Sequence, residues 1–232
     1  ISKSCIYFNI NIKLMKDLNV VLILLLVSLM ACSQNKMNSK NEPAVNDKKV
    51  GGTCEGCEGI YESVIPFNQL NSIDTLPDFN EDGPKIEISG IIFESDGKTP
   101  AAGTIMYLYH TDQNGLYFGG SDESVWSKTH GYIRGWLKTD SNGFYKFYTL
   151  IPASYPNTTI QKHIHPTIKE PGKTAYWIDD FVFDDDPFLI EKERNKKYPV
   201  AGSGVLVVRK EDGILRATRN IILGLNVKDY NR

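Results

Sequence analysis

From residue 84 onward, apolar positions recur at every second residue or in short unbroken runs, and clusters of turn-forming residues separate them. In KIEISGIIFE (85–94), Ile86, Ile88 and Ile92 alternate with polar or small residues, the period of a strand with one buried face. TIMYLYH (104–110) is a continuous β-branched and aromatic run, as in a strand covered on both faces. Turns fall at Gly97 in SDGKTP and at DQNG (112–115). IRGWLKTD (133–140) leads through Ser141-Asn142-Gly143, a hairpin signal, into FYKFYTL (144–150). KTAYWIDDFVF (173–183), SGVLVVRKEDG (203–213) and LRATRNIILGLNV (215–227) are the later strand-like segments. No segment keeps an apolar 3.6-residue period over three turns, and LIEKERNKK (189–197) is the one modest helix candidate. Short, regularly spaced turn signals with little helix predict an all-β sandwich over 85–232, with no internal repeat and no second domain.

The N-terminus follows a different pattern. VVLILLLVSLMA (20–31) is apolar apart from Ser28, and Lys16 precedes it. A basic flank and a short apolar run ending in small residues predict a secretory signal over 1–31, with Met15 as the expected start. The run is shorter than the roughly 20 residues of a membrane span. Leu29-Met30-Ala31-Cys32 resembles a bacterial lipoprotein cleavage box, so Cys32 is expected to carry lipid and to anchor the protein to a membrane of the cell envelope. Residues 33–52 are polar and nearly free of large apolar side chains, the composition of a flexible tether from Cys32. Residues 53–84 form a lead-in segment.

Composition sharpens this division. The chain has 232 residues, 26 basic and 28 acidic, with 41% hydrophobic side chains. That balance suits a folded domain and argues against a dedicated nucleic-acid binder. Cleavage after Ala31 removes Lys3, Lys13, Lys16 and Asp17, leaving 201 residues with a net charge of −4. Cys54 and Cys57 form a CxxC. An oxidising envelope favours a local disulfide. A redox motif lacks the surrounding βαβ pattern, a zinc half-site lacks a second pair, and covalent haem lacks a His after Cys57.

His163-Ile164-His165 is the sharpest chemical feature. On a strand both imidazoles point to one face, with Cα atoms about 7 Å apart, and can converge on one metal. The same pattern also occurs on ordinary surface strands, so HxH alone leaves both readings open.

The surrounding residues narrow the choice. TDSNGFYKFYTLIPASYPNTTIQKHIH (139–165) resembles the motif of the intradiol ring-cleavage dioxygenases, the catechol and protocatechuate dioxygenase family. Thr139, Asp140, Gly143, Tyr145, Phe147, Thr149, Pro152, Tyr155, Pro156, His163 and His165 fall in the family's order. YLYHTDQNGLYFGG is similar to the family's segment that carries the first tyrosine ligand, which places Tyr117 there. The resemblance covers roughly 85–227. It implies a prealbumin-like β-sandwich with long loops and a non-haem ferric ion, Fe(3+), held by Tyr117, Tyr155, His163 and His165.

It also implies chemistry. A free phenol has a pKa near 10, and a trivalent cation reverses that preference and binds the phenolate. Two phenolates and one hydroxide balance three positive charges. A chelating catechol dianion can replace one phenolate and the hydroxide without changing the total. In the family the second tyrosine leaves, here Tyr155, and O2 then cleaves the ring between the hydroxylated carbons, both oxygen atoms entering a muconate-type diacid. The partners implied are a catecholic small molecule and O2, and the family's frequent dimers suggest a homo-oligomer.

One position departs from the family. Its usual arginine, three residues before the first ligand His, is Ile160 here. Arg134, just before the matched Thr139-Asp140, is the candidate to supply a guanidinium toward developing negative charge. Without that arginine, the alternative is a β-sandwich lipoprotein that binds iron or a ligand and does not turn over. His110 is expected to be structural, and His130, in SKTHGY, to be an exposed loop residue without a role. The acidic stretch DDFVFDDDP (179–187) lacks an EF-hand pattern and is expected to be a solvated loop.

Overall fold

The computed structural model describes residues 44, 46–119 and 124–231. The expected signal segment 1–31, Met15, Cys32 and the tether as far as residue 43 lie outside them. Among the described residues no helix is long and apolar enough to cross a membrane.

The described residues form twelve strands in chain order. They are β1 (Ile73–Thr75), β2 (Lys85–Phe93), β3 (Ile105–Tyr109), β4 (Arg134–Lys138), β5 (Phe144–Leu150) and β6 (His163–Lys169), then β7 (Tyr176–Trp177), β8 (Phe181–Phe183), β9 (Val205–Leu206), β10 (Arg209–Glu211), β11 (Ile214–Thr218) and β12 (Ile221–Ile222). One sheet runs β1-β5-β2-β11-β10, with β12 also on β2; the other runs β4-β3-β6-β8-β9, with β7 also on β6. Two sheets with little helix make the β-sandwich that the hydrophobic alternation predicts. The candidate helix over 189–197 is a single turn, Glu191–Arg194.

The core lies between the sheets. Ile86, Ile88, Ile92, Tyr145 and Phe147 from one sheet meet Met106, Leu108, Leu137, Ile164, Ile168, Phe181 and Phe183 from the other. Ser141-Asn142-Gly143 does make a tight turn, with Gly143 at φ +69° and Asp140 accepting from the Asn142 and Phe144 amides. The turn does not close a hairpin, because β4 pairs with β3 and β5 pairs with β2 and β1. Leu137 and Phe147 fill the core from opposite sheets, so the chain crosses between layers here.

The unbroken apolar run in β3 has a direct cause. Met106 and Leu108 face the main core, while Ile105 and Tyr107 face a second cluster with Ile60 and Leu70 on the outer face of the sheet. The cover comes from the lead-in segment, so residues 53–84 belong to the sandwich. Asp74 accepts from the Trp136 amide on β4, and β1 adds a parallel strand to β5. Residues 46–52, the last part of the expected tether, also pack on the domain. Val50 is buried in the main core, Asp47 pairs with Lys169, and the Gly51 amide donates to the Lys228 carbonyl.

Candidate metal centre

The candidate site stands on the outer face of β6. Alternation sends Ile164 and Ile168 into the core and leaves His163 and His165 on the side covered by loops. Tyr117 follows the turn at 112–115, where Asp112 accepts from the Asn114 and Leu116 amides. Tyr155 lies on the strandless segment that follows β5.

The structure brings these four side chains together. Tyr117 Oη lies 2.7 Å from Tyr155 Oη and 3.0 Å from His165 Nε2. Tyr155 Oη lies 3.3 Å from His163 Nε2, and the two Nε2 atoms are 3.0 Å apart. Backbone and carboxylate partners set the histidine tautomers. His163 Nδ1 donates to the Gln161 carbonyl at 2.7 Å, and His165 Nδ1 donates to Asp180 Oδ1 at 3.0 Å. Both Nε2 atoms therefore point lone pairs at the same spot.

A proton count tests whether this donor set suits a cation. The four-membered ring of contacts contains only two mobile protons, those of the phenols, and none stands between the imidazoles. Two of the four contacts therefore have no proton between them, the 3.0 Å approach of the imidazoles and one other, so lone pairs face one another there. Donor separations near 3 Å are those around one small cation with bonds of about 2.0–2.2 Å. Two imidazoles and two phenols that can ionise against a cation fit a ferric ion by type as well.

Electrostatics agrees with that donor set. Burial, and then the hydrogen bond to Tyr155, raises the Tyr117 phenol, and burial raises that of Tyr155. Burial, and then the charge of His165, lowers His163. Burial opposes the Asp180 charge, but the hydrogen bond and charge from His165 outweigh it and hold the carboxyl below its usual range. Asp180 thus orients His165 as an anion. His163, His165 and Asp180 also form a compact group of possible metal ligands. Asp180, however, is bonded to Nδ1 of His165, the ring nitrogen that faces away from the tyrosines.

Three sequence expectations change here. The stretch 179–187 is not a solvated loop. It contains β8, buried throughout, and it supplies Asp180. Its Asp186, also buried, accepts from the Lys162 amide at 2.6 Å and so fixes the backbone just before His163. His130 is buried, stacked on Tyr109 at 3.7 Å and bonded to Tyr107 Oη at 2.8 Å; burial, then His165 and Arg134, push its pKa down to about 4. Tyr109 in turn stacks on His165 at 4.6 Å, which shields that ring. Arg134 does not reach the four donors. It pairs with Glu62 at 2.6 Å and donates to Ser124 Oγ at 3.0 Å, so its charge is balanced by the lead-in segment. Ile160 is half exposed. Among the described residues no arginine or lysine is hydrogen-bonded to the four donors.

Cys54 and Cys57 are joined by a disulfide. Its loop packs Gly56, at φ +88°, against His130, and Cys54 and Glu55 line a cleft of about 270 Å³ beside His165 and Asp180.

Comparison with known proteins gives concordant findings. A family model described as Dioxygenase matches residues 67–193. Catechol 1,2-dioxygenase 1 of Acinetobacter lwoffii is 32% identical over 107 residues, covering 45% of this chain and 33% of that enzyme. The chain thus matches about a third of that relative's length. An intradiol ring-cleavage dioxygenase from Tetranychus urticae superposes with a TM-score of 0.50 at 19% identity, over 78% of this chain and 94% of that one. Catechol 1,2-dioxygenase from Acinetobacter sp. ADP1, inhibited by bound mercury, gives a TM-score of 0.49 at 17% identity, over 65% and 56%. At 19% identity the likeness to the Tetranychus urticae structure is one of fold.

Proposed function

Since the chain belongs to the intradiol ring-cleavage dioxygenase family, we propose that it cleaves a catechol-type ring between the two hydroxylated carbons, both atoms of O2 entering the product. The convergence of Tyr117, Tyr155, His163 and His165 on one spot carries this reading. These four residues would hold a non-haem ferric ion. When bound, the ion supplies Lewis-acid activation and a template for the two oxygens of the catechol.

The protein's own groups have separable tasks. Gln161 and Asp180 hold the imidazoles with their Nε2 lone pairs inward. Tyr109 stacks on one face of the His165 ring and holds its orientation. Tyr155 is the less enclosed of the two phenols. It is therefore suited to swing aside and to take one catechol proton at Oη. Tyr117, between Tyr155 and His165, stays in place.

The N-terminal pattern supports a lipid anchor on Cys32 and a bacterial envelope location, which metabolic lipid labelling of a Cys32→Ser variant tests. A second reading, an iron- or ligand-binding sandwich without turnover, draws on Ile160 in the arginine position. The experiment is to purify the domain from iron-replete cells and to record iron content, visible spectrum and O2 uptake with a panel of catechols. The expected result is about one iron per chain, a phenolate charge-transfer band and a muconate-type product. Colourless, iron-free protein refutes both iron readings. Coloured protein without O2 uptake selects the second.

A further inference from the structure

We infer that Asp78, Thr149 and His110 hold one proton in common inside the folded protein, and that this buried relay positions the two tyrosine-bearing segments. The argument begins with hydrogen-bond inventory. His110 Nδ1 lies 2.8 Å from the Thr111 carbonyl, which can only accept, so Nδ1 carries a proton. His110 Nε2 lies 2.6 Å from Thr149 Oγ1, and Thr149 Oγ1 lies 2.8 Å from Asp78 Oδ1. Both contacts need a proton, and the hydroxyl has one. The second must sit on the Asp78 carboxyl or on His110 Nε2. All three side chains are buried, so water cannot substitute for it. An unprotonated contact of this kind in the interior is costly.

Burial sets where the proton rests. It raises Asp78 to about 6 and lowers His110 to about 4, so the carboxyl is the preferred holder. The acid then donates to Thr149, and Thr149 donates to His110. The charged or titratable groups facing the trio are Glu81 and Tyr132 beside Asp78, and His163 and His165 toward His110. The neighbouring carboxylate acts in the same sense: Glu81 disfavours an ionised Asp78.

The relay stands at the root of two segments that are fastened to each other. Thr111 Oγ1 donates to the Ala153 carbonyl at 2.7 Å, and Gln113 Nε2 to the Ile151 carbonyl at 2.9 Å. Gly115, at φ +76°, lies directly against the Ser154 carbonyl. Tyr117 and Tyr155 come two and one residues later, and their hydroxyls meet at 2.7 Å. His110 begins one segment and Thr149 precedes the other, so their mutual bond sets the spacing of the tyrosine pair. The bearing of this on catalysis rests on the ligand reading above; the proton count does not.

The test uses the full metal-free domain, so it is independent of iron. Carbon-13 NMR of labelled aspartate and nitrogen-15 NMR of the histidines are followed from pH 5 to 8. The expected result below about pH 6 is an un-ionised Asp78 with neutral, Nδ1-protonated His110; an ionised Asp78 facing an imidazolium there equally supports one shared proton. Ionised Asp78 beside neutral His110 at pH 6 and below overturns it. Asp78→Asn keeps a donor toward Thr149 and mimics the acid, so its folding constant at pH 7 is expected within about threefold of wild type or higher. A fall beyond tenfold shows that an ionised carboxylate was needed. Thr149→Val, which preserves volume, is expected to shift the ring resonances of Tyr117 and Tyr155, and Thr149→Ser to restore them. If Val leaves both resonances unmoved, or if Ser moves them as Val does, the positioning role fails.

Discussion

Replacing Asp180 by Asn isolates the electrostatic support of the site. The carboxylate oxygen lies 3.0 Å from His165 Nδ1, on the far side of the ring from the four converging donors. That places the charge about 7 Å from a cation bound at Nε2, where it is worth about 1–2.5 kcal/mol per unit of net cation charge at an effective dielectric of 20–40. The Asp180 side chain is 36% exposed, so solvent screening favours the lower part of that range. Asn keeps shape and an acceptor for Nδ1–H, so the tautomer survives while the charge is lost. The expected consequence is a 10- to 100-fold weaker hold on iron, or about 1.4–2.7 kcal/mol. Competition against a chelator of known affinity measures it, with urea unfolding as the control for an intact fold. Asp180→Ala also removes the acceptor and should weaken iron further. Affinity within twofold of wild type in both variants would falsify the orienting role. Loss in Asp180→Ala as complete as in His165→Ala would instead make Asp180 a direct ligand and refute the four-donor assignment.

Tyr117→Phe and His165→Ala should each lower iron content, and Tyr117→Phe should also shift the visible band; full iron content in both refutes the site. Ile60→Ala, in the lead-in cluster under Tyr107, should cost about 2–5 kcal/mol in urea unfolding, and a cost below 1 kcal/mol would make the lead-in dispensable. Opening the Cys54–Cys57 loop with Cys57→Ser should cost about 2 kcal/mol, the chain-entropy value for so short a loop; an unchanged unfolding midpoint counts against it. Between about pH 4 and 6 the buried groups pull stability in opposite directions. Asp78, raised from 3.8 to about 6, is destabilising as pH rises through that window, and His110 and His130, each lowered from 6.5 to about 4, are destabilising as pH falls through it. Relative to wild type, His110→Gln should therefore gain about 3 kcal/mol less stability as pH rises from 4 to 6, and a wild-type-minus-variant profile that stays flat contradicts the assignment.

Period-two alternation was enough to read β2 and β5 and the side of β6 that carries the histidines, because the rule that turns successive side chains to opposite faces is local. The order of Tyr117, Tyr155, His163 and His165 was legible through resemblance. Asp180 was not. It comes from the next strand-turn, and a carboxylate's role depends on what it faces across a sheet rather than on its neighbours in sequence. The acidic run hid it, since charges near DDD usually mark solvent. Arg134 shows the converse: nothing local announces that Glu62, 72 residues earlier, balances its charge. His130 was misplaced for the same reason, as its cover comes from Tyr109, Trp126 and the disulfide loop.

By itself the sequence determined a strand-built domain, the face shared by two imidazoles, and a leader pattern ahead of a polar stretch. Those features follow from backbone periodicity and composition. Tertiary structure alone decided that the Asn-Gly turn joins two sheets, that the lead-in covers β3, and that four donors meet within 3.3 Å with a carboxylate behind one of them. Long-range packing makes those choices, because partner identity, burial and proton sharing exist only between segments that folding brings together.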